Sequence, residues 1–114
     1  MNNKKITAII YARTSGTSTT RKEDSLQEQE RVCKEYCEQN GMEVKKVFHD
    51  LGAPALDPAR NMMRKILRFC KQVRPDFLIV TSRDRLNRSV WVRNEIISHL
   101  LKTKTTIRPI NETN

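Results

Sequence analysis

Hydrophobic positions in this chain fall into short blocks separated by polar, turn-rich stretches. Ile6-Thr7-Ala8-Ile9-Ile10-Tyr11 is β-branched and almost uniformly apolar, the pattern of a strand covered on both faces of a parallel sheet. Residues 12–22 are rich in Ser, Thr and Gly, lack an apolar period and read as a loop. Ser25-Leu26-Gln27-Glu28 has capping-box spacing, and Leu26, Cys33, Tyr36 and Cys37 then recur at helical intervals beside Val32. A helix over about residues 24–40 follows, closed by Gly41 as its C′ residue. Residues 42–49 read as a second strand through Val44, Val47 and Phe48, and residues 50–57 as a loop with Gly52 and Pro54. Pro58 suits the first turn of a helix. Met62, Met63, Ile66, Leu67, Cys70 and Val73 give that helix its apolar stripe, and Arg74-Pro75 ends it. Phe77-Leu78-Ile79-Val80 is a buried strand, and residues 81–89 are dense in charge. A last helix spans about residues 89–102 on Ile96, Ile97, Leu100 and Leu101, and residues 105–110 form a final strand.

The order β-α-β-α-β-α-β implies a parallel sheet with helices packed on it through right-handed crossovers. The 114 residues make one domain with a modest core, since 37% of them are hydrophobic. No apolar run approaches the ~18 residues of a membrane span, and the polar start Met1-Asn2-Asn3-Lys4-Lys5 is no signal peptide. Three cysteines without zinc-finger spacing argue against a disulfide framework, so the domain is expected to be cytoplasmic and reduced. The three glycines form neither a dinucleotide fingerprint nor a P-loop, so nucleotide cofactors of those two kinds are disfavoured.

Charge sharpens the picture. The net charge is +9, and residues 60–93 carry ten bases against two acids, nearly the whole surplus. Residues 23–38 carry six acids and two bases. A basic half of this kind suits a polyanionic partner, of which nucleic acid is the commonest; a solvated basic surface is the plainer reading.

In an open α/β sheet, sites lie beyond the carboxyl ends of the strands. The first strand leads to Arg13-Thr14-Ser15, the second to Asp50 and then Arg60, and the third to Arg83-Asp84-Arg85 with Arg88 beyond. Gln29 lies early in the first helix, near the same edge. One hydroxyl nucleophile candidate thus faces several guanidiniums. Arginine forks match phosphate oxygens in a bidentate manner, and an arginine cage stabilises the charge that develops when serine attacks a phosphodiester. Asp84 suits three roles: orienting a guanidinium, transferring a proton, or capping a helix. Taken singly, each residue also has an ordinary reading as a loop or surface side chain. Cys33 and Cys37 stand at i, i+4 and read as packing thiols or as a metal-binding pair; both fall on the apolar stripe. His49 beside Asp50 reads as a strand-end surface residue or a general base.

Tyr11-Ala12-Arg13-Thr14-Ser15, Ser25-Leu26-Gln27-Glu28-Gln29, Asp50-Leu51-Gly52, Arg60 and Asp84-Arg85-Leu86-Asn87-Arg88 occur in that order. This series resembles the catalytic domain of the serine recombinases, which comprise resolvases, invertases and large serine integrases, with their Y-A-R-x-S, S-L-x-x-Q, D-x-G and D-R-L-x-R motifs. The resemblance runs from about residue 6 to residue 110. It implies a three-layer α/β domain, with a mostly parallel sheet of four or five strands flanked by helices. It implies Ser15 as the nucleophile, giving a 5′-phosphoserine link to DNA and a free 3′-hydroxyl. Arg13, Arg60, Arg85 and Arg88 would surround the scissile phosphate, Gln29 would position the phosphate or Arg13, and Asp84 would orient arginines or assist proton transfer. Neither metal nor small-molecule cofactor is implied.

The expected partner is double-stranded DNA, with a homodimer and synaptic tetramer in the full-length protein, no membrane, and a prokaryotic or mobile-element origin. The chain departs from the family pattern after Gly52, where Ala53-Pro54-Ala55 replaces Ser-Gly, and after Arg60, which precedes Asn61 rather than Pro. Family members continue into a dimerisation helix and a DNA-binding domain. Residues 1–114 are therefore expected to be the catalytic domain without these parts, inactive in isolation. The competing readings are a non-catalytic DNA-binding or regulatory module that retains the fold, and a phosphate-binding domain acting on small molecules.

Overall fold

The computed structural model describes residues 5–13, 19–50, 58–82 and 90–111, without the side chains of residues 19–24, 58–61 and 90–92. The elements are β1 (Ile6–Arg13), α1 (Thr19–Gln39), β2 (Met42–Asp50), α2 (Pro58–Val73), β3 (Phe77–Val80), α3 (Val90–Lys102) and β4 (Thr106–Pro109). The strands form one sheet in the order β2-β1-β3-β4, with every pair parallel.

The period of two along β1 builds three layers. Ile9 and Tyr11 enter one core with Phe48, Met63, Ile66, Cys70, Leu78, Val80, Ile96 and Leu100, so α2 and α3 cover that face. Ala8 and Ile10 enter a second core with Cys33, Cys37 and Ile79, beneath α1. Both faces of β1 and β3 are therefore buried, which is why their sequences are apolar runs and not alternating ones. Cys33 and Cys37 are wholly buried in the α1 layer, where desolvation pushes the Cys33 thiol up to about 12. The packing reading of these thiols matches this position.

One expectation needs correction. The first helix starts at Thr19, about a turn and a half before the Ser25 capping box. Arg21, Lys22 and Glu23 are straight-chain residues that lose little rotamer freedom in a helix, so they extend α1 towards β1. Ser25 thus lies inside the helix and caps nothing. Arg74-Pro75 ends α2, as the sequence predicts. A residue before proline is normally driven to extended backbone, yet Arg74 has φ 54° and its N–H donates to the Cys70 carbonyl at 2.8 Å. It closes α2 in the left-handed conformation.

The end of α3 is a Schellman motif. The Thr105 N–H donates to the Leu100 carbonyl at 3.0 Å and the Lys104 N–H to the Leu101 carbonyl at 3.1 Å, which places Lys104 at C′ with φ 63°. Gly41 holds the same place after α1, with φ 67°, as its sequence position predicts. A side chain in that conformation costs roughly 1 kcal/mol. Lys104→Gly is therefore expected to stabilise the domain by about 0.5–1 kcal/mol. Urea unfolding should show a higher midpoint at unchanged slope.

Candidate active site

Because the strands are parallel, their carboxyl ends share one edge: Arg13 on β1, Asp50 on β2, Val80 on β3 and Pro109 on β4. Residues 14–18, 51–57 and 83–89 follow the first three of these ends in sequence. They include Ser15, Asp84, Arg85 and Arg88, which lie outside the described residues. Arg60 is the third residue of α2, whose amino end follows the β2 carboxyl end; its side chain also lies outside the described residues.

Arg13 and Gln29 are brought together. The Gln29 side chain is 6% exposed, and its Nε2 donates to the Arg13 carbonyl at 3.0 Å while its Oε1 accepts from the Arg13 N–H at 3.2 Å. A side-chain amide thus pairs with a peptide as a neighbouring strand would. The reason lies in the ladder: β3 pairs with β1 only over Ala8–Ile10, so the backbone beyond needs other partners on that side. The Gln29 Nε2 also donates to the Ser25 hydroxyl at 3.2 Å, one helical turn back. Ser25 and Gln29 of the S-L-x-x-Q motif therefore act as one unit that fixes the backbone two residues before Ser15. Gln29 is a positioning residue for the chain at Arg13.

Gln29→Ala is expected to leave both peptide groups of Arg13 without this partner, at a cost of about 1–3 kcal/mol for the buried groups. Gln29→Glu keeps an acceptor for the Arg13 N–H but loses the donor to its carbonyl, so its loss should be intermediate. Chemical denaturation of the three proteins gives this order.

A second buried contact was not anticipated. The Tyr11 hydroxyl donates to the Asp50 carboxylate at 2.8 Å, with Tyr11 fully buried and Asp50 4% exposed. Sequence reading placed Tyr11 in a strand and Asp50 in a loop motif, and gave neither a partner. Their meeting depends on register. The β1–β2 pairing shifts between Ala8 and Ile9, so that Ala8 faces Val44 but Ile9 faces Lys46. Lys45 is the extra residue. It brings Asp50 opposite Arg13, where an unbroken register would have put His49. The same shift lets Val44 and Val47, three apart, share the α1 face. His49 turns to that face too, its Nε2 2.6 Å from Glu30 Oε1, as a partly exposed surface histidine.

Burial first, then the Asp50 carboxylate, pushes the Tyr11 phenol well above its usual range, against a smaller opposing effect of the Arg13 charge. A phenol raised by folding stabilises the protein below its unfolded value of 10.0, and that contribution is lost as pH rises beyond it. Tyr11→Phe should cost about 1.5–3 kcal/mol near neutral pH by stripping a donor from a buried carboxylate. It should also flatten the fall of stability above pH ~10. The buried thiols, raised in the same direction, contribute their own alkaline loss in both proteins.

Among the described residues no group of three or more His, Cys, Asp or Glu is arranged to hold a metal ion, and no helix is long and apolar enough to cross a membrane. A sequence profile described as "Resolvase, N terminal domain" matches residues 8–114. Solved structures are similar over nearly the whole chain. The C-terminal catalytic domain of ISC1926 TnpA, an IS607-like serine recombinase, is 28% identical with a TM-score of 0.78, covering 95% of this chain and 72% of that one. A serine recombinase from Sulfolobus solfataricus is 27% identical with a TM-score of 0.72, covering 96% and 71%. The N-terminal catalytic domain of TP901-1 integrase, at 24% identity and a TM-score of 0.76 over 92% and 77%, shares the fold. A comparison with the curated proteins finds no match.

Proposed function

Since the chain belongs to the resolvase N-terminal domain family of serine recombinases, we propose that its site cuts and rejoins DNA through Ser15. The family's members are DNA recombinases that bind DNA and act as oligomers, and this chain is a homologue of their catalytic domain. The observation that carries the residue assignment is the Gln29 clamp on the Arg13 peptide at the carboxyl edge of the sheet. It holds rigid the backbone that delivers Ser15, on the edge to which the arginine-bearing segments also lead. A nucleophile needs such fixing, because most of the barrier in phosphoryl transfer is met by position and field.

In this reading the Ser15 Oγ attacks the scissile phosphorus and the bond to the 3′-oxygen breaks. The serine proton passes to the leaving oxygen, with Asp84 as its carrier or as the group that orients Arg85. A 5′-phosphoserine and a free 3′-hydroxyl result. Attack by the 3′-hydroxyl of another strand reverses the step and rejoins DNA without a high-energy cofactor. Arg13, Arg60, Arg85 and Arg88 supply the positive charge that metal ions supply in many nucleases. Residues 8–114 match the family's N-terminal domain. The homodimer and synaptic tetramer belong to a protein that also carries a dimerisation helix and a DNA-binding domain.

The test uses the protein joined to those parts, on a duplex containing its recombination site. Cleavage should continue in excess chelator and leave ends with a free 3′-hydroxyl and a protease-sensitive block at the 5′ side. Free 5′-phosphates, or an absolute need for a divalent cation in the chemical step, would contradict the assignment.

A further inference from the structure

We propose that the flank of the domain between β2 and α2 is a second contact for the DNA backbone, separate from the reactive phosphate. The inference rests on the reading that DNA is the substrate. A groove of about 380 Å³ runs there, open to solvent, with Lys46 from β2 and Lys65 and Arg68 from α2 along it. All three are exposed, and among the described residues none has a carboxylate partner. Elsewhere on the surface the cations Arg31, Lys34 and Lys45 are paired with Glu28, Glu35, Glu30 and Glu43. Among the described residues no carboxylate lines the groove; Glu30 engages the His49 ring at one end.

The groove is also preorganised. Phe48 and Phe69 meet edge to face with centroids 5.7 Å apart, and the Lys46 ammonium lies 5.6 Å and 5.9 Å from the two rings. Aromatic faces hold this ammonium by cation–π attraction while leaving it open to an anion. Lys65 and Arg68 stand three apart, on one face of α2. Three exposed cations on two adjacent elements, with no acid among the described lining residues, suit a chain of phosphates better than a compact ligand, because small-molecule sites enclose their ligand and converge polar groups on it.

Position supports the same occupant. His49, at one end of the groove, precedes Asp50 on the carboxyl edge, where Arg13 and Gln29 lie. The other end reaches Gln72, near the close of α2. Duplex leaving the active-site edge on that side would meet the groove next.

The experiment measures binding of the 114-residue chain to a random-sequence duplex across a salt series. Two triple variants of equal net charge are compared with the parent: K46Q/K65Q/R68Q in the groove, and K5Q/K102Q/K104Q near the opposite edge of the sheet. Each phosphate contact contributes about 0.9 to the slope of log affinity against log salt. The groove variant should be shallower by about two to three, a difference of roughly forty-fold in the affinity lost between 50 and 200 mM salt. The control should stay near the parent slope. Equal slopes for the two variants would overturn the groove while leaving DNA as the substrate. Absence of salt-dependent binding by the parent would instead overturn the DNA reading, and the groove with it. Unchanged DNA binding with altered self-association in sedimentation would assign the groove to a second copy of the chain and contradict the proposal.

Discussion

Ser15→Ala is expected to abolish strand cleavage in the protein with its downstream parts, with duplex binding close to that of the parent. The Ser15 hydroxyl is the only one in the motif set that matches the family's nucleophile position, so its removal eliminates the intermediate and does not merely slow it. Loss of a nucleophile in comparable covalent catalysis costs roughly a million-fold in turnover. Binding depends on other groups, the Lys and Arg side chains that displace counterions from phosphate, and none of these changes. Cleavage and binding should be measured on the same duplex at the same salt. Recombination by the alanine variant at the parental rate would remove Ser15 from the chemistry.

The second large effect concerns the arginines. Arg85→Lys keeps the positive charge but loses the planar fork that grips two phosphate oxygens at once. If Arg85 is aimed at the oxygens that gain charge during attack, the loss should reach about 3–4 kcal/mol, or roughly a hundred- to a thousand-fold in single-turnover rate. The same substitution at Arg13 or Arg88 should behave alike. Pairs should cost less than the sum of the singles, since groups that stabilise one transition state act as a unit. Arg68→Ala provides the contrast. Arg68 is exposed on α2 and lines the flanking groove, so its loss should weaken binding and leave the cleavage rate of bound DNA unchanged. A parental rate for Arg85→Lys together with lost chemistry in Arg68→Ala would move the active site off the carboxyl edge.

The layers of the fold were legible in the sequence because burial on two faces leaves a strong mark. Ile6–Tyr11 is apolar but for Thr7 and Phe77–Val80 throughout, and the structure makes their strands the central pair of the sheet. Gly41 marked the end of α1 because few other residues enter the left-handed region cheaply. Arg74 and Lys104 occupy that same region without the residue that would announce it. The start of α1 was misjudged because Ser25 and Glu28 have the spacing of a cap, while the helix-forming character of Arg21, Lys22 and Glu23 carries no periodic signal.

Within the site, the S-L-x-x-Q motif pointed to Gln29, but not to the atoms it holds. The resemblance implies that this amide positions the phosphate or Arg13. The structure shows it on the Arg13 main chain, beyond the point where the β3 ladder stops at Ile10. The Tyr11–Asp50 bond was hidden for a different reason. It needs the extra residue at Lys45 to bring Asp50 into line with Arg13, and the one trace of that shift in the sequence is the spacing of three between Val44 and Val47.

The most direct test of the central claim is to trap the covalent species and locate it. The full-length protein is incubated with a duplex carrying a nick near the cleavage point, so that religation fails and the protein–DNA link accumulates. Proteolysis and mass spectrometry then identify the modified peptide. The account predicts a nucleotide joined through a 5′-phosphate to Ser15, in the peptide that follows Arg13. A link mapped to any other residue, or cleaved DNA with no covalent protein attached, would contradict it.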